Sequence, residues 1–283
     1  MSLALRAGLV QLSVGDDPAA NLPDTRALIA EAAGLGAQFV LTPECTNLVS
    51  GDRRWQNEVL CPEAEDKTLA ALRAQADGLG IWLLIGSLAL KQDEADADRF
   101  VNRSFLIGPD GAIRARYDKI HMFDVTISER ESYRESKAYR PGSRAVVAGG
   151  PVRIGMSVCY DLRFPYLYRA LAQAGAEILT VPSAFNDTTG AAHWEVLLRA
   201  RAIETGSFVL APAQTGLHEA AHSAKPSQRR SFGHSLAVTP WGEVMSDAGE
   251  QPGISVVSLD LNDVRKARSR IPSMNADQPF EMP

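Results

Sequence analysis

Cysteine is scarce in this sequence: Cys45, Cys61 and Cys159 are the only three in 283 residues, widely spaced and without a C-x-x-C pair. That pattern excludes a disulfide framework and a cysteine-based zinc site. An excess of positive charge is lacking too. The formal net charge is −5, whereas a general nucleic-acid binder needs clustered Lys and Arg to meet phosphates. The pairs Arg53–Arg54 and Arg229–Arg230 are too short to supply that surface. No apolar run approaches the ~20 residues of a bilayer span. The opening residues, MSLALRAGLVQLSVGDD, carry no basic leader and reach acidic residues too early for a secretory signal. Cytoplasmic residence, with neither nucleic acid nor membrane as partner, is therefore the expectation. Repeats, linkers and low-complexity segments are also missing, and 45% hydrophobic with 22% charged residues is an ordinary globular balance.

What is present is alternation. Strand patterns at 6–14, 38–44, 81–90, 152–159, 177–185, 207–214 and 254–261 are interleaved with helix patterns at 24–35, 66–79, 163–174, 192–205 and 262–270. The 81–90 strand is apolar enough to be buried on both faces. RSFLIGPDGAIRARYDK (103–119) reads as a hairpin around PDG, and GHSLAVTPWGEVM (233–245) as a second one. Strand–helix alternation calls for parallel pairing and the hairpins force antiparallel neighbours into the same sheets. The expected class is α/β, with mixed sheets covered by helices, in one domain over residues 1–270 and a tail at 271–283. The polar stretch of about 120–144 carries no strand pattern.

Three strand ends carry chemistry. Cys159 ends an apolar strand and precedes a turn into a helix, which exposes a side chain at the sheet edge and aims backbone N–H groups at whatever it attacks. The helix start also favours thiolate over thiol. The alternative is a Cys packed as a small hydrophobe. Glu44 ends FVLTPE, where a carboxylate is awkward to bury without a partner; a surface glutamate is the other reading. Lys119 ends IRARYDK, and alone it reads equally as a solvated lysine beyond a hairpin. A thiol needs a base, and a tetrahedral intermediate needs a cation or donors, so the combination says more than any member.

The segments TPEC (42–45), YDKIHMFDV (117–125), YRES (133–136), GMSVCYDLRFP (155–165), PSAFNDTTGAAHWEVLLRARAIE (182–204) and GHSLAVTPWGEV (233–244) together resemble the nitrilase, or carbon–nitrogen hydrolase, superfamily. They run in that family's order over nearly the whole length. KIHMFDV, HWEVLLRARAIE and SFGHS resemble its Nit branch, which includes amidases of deaminated glutathione and of ω-amides of 2-oxo acids. The resemblance implies a four-layer αββα sandwich, a homodimer or higher homo-oligomer with subunits packed face to face, and no cofactor or metal. It places Glu44 as general base, Lys119 as oxyanion stabiliser, Cys159 as nucleophile and Glu135 as a second glutamate beside them. The implied reaction is amide hydrolysis through a thioester, releasing ammonia from a small carboxylate-bearing substrate, with deaminated glutathione a candidate. The backbone N–H of Tyr160 would share the oxyanion, Arg163 would meet the substrate carboxylate, and Phe185, Asn186 and Thr188 would line the pocket. Partial burial should raise the pKa of the base, while a neighbouring Lys opposes that.

Two readings compete with this one. LHEAAH (217–222) contains H-E-x-x-H, so His218, Glu219 and His222 form a zinc-hydrolase pattern, although Gly216 and Pro226 confine any helix there. A non-catalytic binding protein would also keep the fold. His193 and His234 read as structural or pocket-lining, and His121 as support for the loop beside Lys119. The chain departs from the branch at Tyr166, where members often carry Glu, in QTGLHE (214–219), where they often carry Cys-Gly-Arg, and in the tail MNADQPFEMP (274–283).

Overall fold

The computed structural model describes residues 4–92, 98–129, 131–222 and 229–281; Pro226 and the last two residues of the tail lie outside these. In chain order the strands are β1 (Ala4–Gln11), β2 (Phe39–Leu41), β3 (Trp82–Leu90), β4 (Val101–Ile107), β5 (Ile113–Asp118), β6 (Asp124–Ser128), β7 (Glu131–Arg134), β8 (Val146–Gly149), β9 (Arg153–Met156), β10 (Ile178–Thr180), β11 (Phe208–Ala211), β12 (Thr215–Leu217), β13 (Arg230–Phe232), β14 (Leu236–Val238), β15 (Val244–Asp247) and β16 (Gly253–Asp260). The helices are α1 (Pro18–Gly34), α2 (Arg53–Val59), α3 (Lys67–Leu79), α4 (Pro165–Gln173), α5 (Asp187–Thr205) and α6 (Asn262–Arg270).

Two six-stranded sheets result, ordered β16-β1-β2-β3-β4-β5 and β15-β14-β11-β10-β9-β8. Both are mixed. β1, β2 and β3 pair in parallel, as do β9, β10 and β11, while β4, β5, β14 and β15 add antiparallel edges through the two expected hairpins. Alternation along each strand sorts side chains to opposite faces. In β2, Phe39 and Leu41 enter the core shared with the second sheet, whereas Val40 turns to the core beneath α1 and α3, with Ile29, Ala32, Leu72 and Ala76. Leu167 and Leu171 of α4 and Leu198 and Ala202 of α5 cover the other sheet. The layers are therefore helix, sheet, sheet, helix.

Several boundaries differ from the sequence reading. α1 begins at Pro18 because Asp17 caps it, its carboxylate accepting from the amides of Ala19 and Ala20. α5 begins at Asp187 because Asn186 accepts from the amide of Thr189. The polar stretch of 120–144 contains the β6–β7 hairpin, and β12–β13 is a further pair. These short polar strands belong to neither six-stranded sheet, so neither face shows the apolar alternation that marks a core strand.

Candidate active site

The carboxyl ends of β2, β5, β9 and β10 meet at one end of the two sheets, and each delivers a residue there. Glu44 lies three residues past β2. Its backbone is held by Gln214 Nε2, which donates to the Glu44 carbonyl at 3.0 Å, and by Thr46 N–H, which donates to Ser87 O at 2.9 Å. Gly86 in β3 backs this turn so closely that a Cβ there would stand 2.1 Å from the Thr42 carbonyl oxygen and 2.4 Å from that of Pro43. Only glycine fits such an approach.

Lys119 directly follows β5, its N–H donating to Asn102 O at 3.0 Å. Cys159 opens a short 3₁₀ turn after β9 with φ of 49°, in the left-handed region. For a residue other than glycine that backbone costs about 1–2 kcal/mol, so the surroundings must enforce it. Cys159 N–H donates to Pro182 O at 3.0 Å, and Val158 N–H donates to Asp161 Oδ2 at 2.9 Å.

The side chains converge. Lys119 Nζ donates to Glu44 Oε1 at 2.9 Å and to Glu135 Oε2 and Oε1 at 2.8 and 3.0 Å. Glu44 Oε1 also accepts from Asn102 Nδ2 at 2.9 Å, and Oε2 from the amide of Ala184, just past β10, at 2.8 Å. The Cys159 thiol stands beside the Glu44 carboxylate, near enough for the Glu44 charge to act on the sulfur. Glu135 Oε2 accepts from the amide of Phe123 at 2.6 Å, which ties the base of the β6–β7 hairpin to the lysine.

Burial and charge oppose each other here, and the outcome differs by residue. Burial raises the Glu44 carboxyl, but the Lys119 ammonium, the adjacent Cys159 thiol and the hydrogen bonds from Lys119 and Ala184 hold it below its ordinary 4.5. Burial depresses Lys119, yet the two carboxylates keep it well above 10.5. Burial and the adjacent Glu44 charge push the Cys159 thiol well above 9.0, against the pull of Lys119. The resting site thus holds a carboxylate, an ammonium and a neutral thiol. Of the two opposing effects expected on Glu44, the lysine prevails. A thiol beside a carboxylate can pass its proton as the sulfur attacks, without a free thiolate forming first.

A cavity of about 310 Å³ opens onto this cluster. Glu44, Lys119, Glu135 and Cys159 line it together, as do Tyr160, Phe185 and Asn186. Tyr160 N–H, the first amide after the nucleophile, donates to no described residue. Two expected pocket residues lie elsewhere. Arg163, at the far end of the 3₁₀ turn, points toward α5, with Nη1 3.2 Å from His193 Nδ1 and Cζ 5.2 Å over the Phe185 ring. Thr188 is outside the lining and Thr189 takes its place, since each helical residue rotates about 100° and only one face of the first turn meets the cavity. His193 and His234 do not line the cavity either; His234 bonds Asp247 at 2.9 Å and stacks on Phe232.

Sequence reading missed Asn102, Phe123, Tyr133 and Arg229 in the lining. Arg229 was visible only as half of a basic pair. It is half-buried at the cavity wall, with Nη2 donating to Ala184 O at 3.1 Å and Cζ 5.8 Å from the Tyr133 ring centre.

The H-E-x-x-H segment does not assemble a zinc site. Residues 218–222 form no helix. His218 is fully buried, with Nδ1 bonded to Val14 O at 2.8 Å and Nε2 to Ser231 Oγ at 2.7 Å, and burial pushes its pKa down to about 4. His222 stands outside, stacked on Trp55 with ring centres 4.3 Å apart. The two imidazoles share no open point where an ion would sit.

Among known proteins, a deaminated glutathione amidase from Yersinia enterocolitica is 39% identical over 267 residues, covering 93% of this chain and 90% of that protein. The crystal structure of the C. elegans NitFhit protein superposes with a TM-score of 0.87 at 33% identity over 97% of this chain, which spans 65% of that longer protein. A mutant amidase from Nesterenkonia, showing Michael addition of acrylamide at its active-site cysteine, is 26% identical with a TM-score of 0.75 over 95% of this chain and 98% of that one. No helix among the described residues is long and apolar enough to cross a membrane. Residues 6–269 match the carbon-nitrogen hydrolase model, and the chain belongs to that family of enzymes.

Proposed function

We propose that this chain is a cysteine amidase in which Cys159 attacks the carbonyl carbon of a small amide while Glu44 takes the thiol proton. Lys119 Nζ and the Tyr160 N–H receive the oxyanion. Glu44 then gives its proton to the departing amine nitrogen, the C–N bond breaks and a thioester remains on Cys159. A water deprotonated by Glu44 adds to the thioester, and collapse returns the thiol and a carboxylic acid. Glu135 keeps Lys119 charged and aimed. The observation that carries this reading is the Glu44 carboxylate bonded to the Lys119 ammonium at 2.9 Å, with Glu44, Lys119 and Cys159 lining one cavity.

The substrate we propose is deaminated glutathione or a close 2-oxo-acid amide. The name of the Yersinia relative supports this, at 39% identity. A primary amide would release ammonia, whereas deaminated glutathione would release cysteinylglycine. Arg229, rather than Arg163, is the cation placed to meet a substrate carboxylate, since it lines the cavity and Arg163 does not. The reduced Cys45, Cys61 and Cys159 favour a cytoplasmic setting. A homodimer through the outer face of α5 is supported by Val196 and Ile203, 68% and 54% exposed there.

Product release from deaminated glutathione, 2-oxoglutaramate, a neutral aliphatic amide and an N-carbamoyl amino acid tests the assignment. The first two are expected to lead, and Arg229→Met to raise their KM by about tenfold, the scale of one charged hydrogen bond, without affecting the neutral amide. Equal kcat/KM for the neutral amide, or no turnover of the first two, would contradict it.

A further inference from the structure

Behind the cavity, one carboxylate joins the segment that carries Lys119 to the segment that carries Cys159. Asp161 is fully buried and accepts four hydrogen bonds. Its Oδ2 takes the hydroxyl of Tyr117 at 2.6 Å and the amide of Val158 at 2.9 Å. Its Oδ1 takes the amide of His121 at 3.0 Å and His121 Nδ1 at 2.6 Å. Tyr117 and His121 stand two residues to either side of Lys119, while Val158 and Asp161 bracket Cys159.

An ionised carboxylate only accepts, so Nδ1 carries the proton in the contact with Asp161. In a neutral imidazole that leaves Nε2 as acceptor for the Tyr166 hydroxyl, 2.5 Å away. The ring is clamped face to face on Phe164, centroids 3.6 Å apart and planes 8° from parallel. Phe164 and Tyr166 belong to the same segment as Cys159, so the imidazole is gripped by that segment on three sides while its own backbone continues from Lys119. None of these side chains but Tyr160 and Phe123, their neighbours in the aromatic cluster, reaches the cavity.

We propose that Asp161 and His121 are positioning residues: their hydrogen-bonded clasp sets the spacing between the Cys159 sulfur and the Lys119 ammonium and holds Cys159 in its left-handed backbone conformation. This rests on Cys159 being the nucleophile. The clasp acts on the backbone on both sides of the reacting pair, and a misplacement of about 1 Å between reacting groups lowers rate by around 10²-fold. Glu135 orients the lysine side chain from the cavity side; the clasp fixes where its strand end lies relative to the turn.

Asp161 itself is a poor first target, since losing its carboxylate leaves the buried Tyr117 hydroxyl and Val158 amide without their acceptor and the chain can fail to fold. His121, with its ring about 12% exposed, is the better one. In the full-length protein, His121→Asn places an amide N–H where Nδ1 stands, His121→Gln reaches toward the Nε2 position instead, and His121→Ala supplies neither. Each is compared with wild type for kcat and KM on the preferred amide, for the rate of Cys159 alkylation by iodoacetamide read by peptide mass spectrometry, and for Tm. The clasp predicts His121→Ala and His121→Gln down at least tenfold in kcat, with KM within twofold and slowed alkylation at Cys159, and His121→Asn near wild type in both. His121→Ala within twofold of wild-type kcat, or His121→Asn as impaired as His121→Ala, would overturn it. Should no amide be turned over by wild type, the parent reading fails on its own, and the ranking of alkylation rates still decides for or against the clasp.

Discussion

At the residue scale, the depressed Glu44 carboxyl makes the acid limb of the pH–rate profile informative. Its folded pKa lies below 4.5 through Lys119, so the carboxylate that accepts the thiol proton is present above that value and is lost as pH falls through it. The profile of kcat/KM is expected to hold its plateau down to about pH 5 and to fall only below the ordinary carboxylate value. A midpoint near 6 to 7 would mean that some other group, or a Glu44 raised by burial, governs the reaction. The same coupling explains how far these residues were readable in advance. Glu44, Lys119 and Cys159 each end a strand, and Glu135 came through the family resemblance. What one-dimensional reading could not supply was the balance between desolvation and charge on Glu44, which depends on a 2.9 Å contact between residues 75 positions apart. Arg229 and Tyr133 were missed for a related reason: Tyr133 lies in a short polar strand and Arg229 just before another, with no apolar pattern to announce a buried wall.

At the element scale, the site depends on strands being held in register behind it. Gly86 sits at an irregularity in the β3–β4 pairing, between Ile85 and Leu88, and lets β3 close on the Thr42–Pro43 backbone that carries Glu44. Gly86→Ala forces those carbonyls away. The expected result is a loss of about 1–3 kcal/mol in stability, as for overpacking of a close contact, with kcat falling further than stability alone would suggest. Thermal unfolding beside kcat measures both, and an unchanged kcat would show that Glu44 is placed independently of this contact. Elements with strong periodicity, such as β3, α3 and α6, were readable to within a residue or two. α1 and α5 began earlier than their apolar repeats because their starts are set by the caps Asp17 and Asn186, whose side-chain hydrogen bonds are invisible to periodicity.

At the scale of the whole molecule, the two sheets present their parallel strand ends to one another, and chemistry gathers where those ends meet, as ligand sites do in open α/β sheets. The layered arrangement followed from alternation with hairpins; the opposition of the two sheets came through the resemblance, because no local pattern says which sheet faces which. The outer face of α5 leaves Val196 and Ile203 exposed, with Ile203 against Gly242 in the turn that carries Trp241, itself 45% exposed. Ile203→Asp is expected to convert a dimer to a monomer by light scattering; a wild type already monomeric at micromolar concentration would remove that proposal without touching the site.

The most direct measurement is made on the sulfur. Turnover of deaminated glutathione or 2-oxoglutaramate is quenched in acid, and the peptide containing Cys159 is weighed. The account predicts an acyl group on Cys159, whose loss in Cys159→Ala accompanies a fall in kcat of at least about 10³-fold. Turnover near the wild-type rate in Cys159→Ala would contradict it.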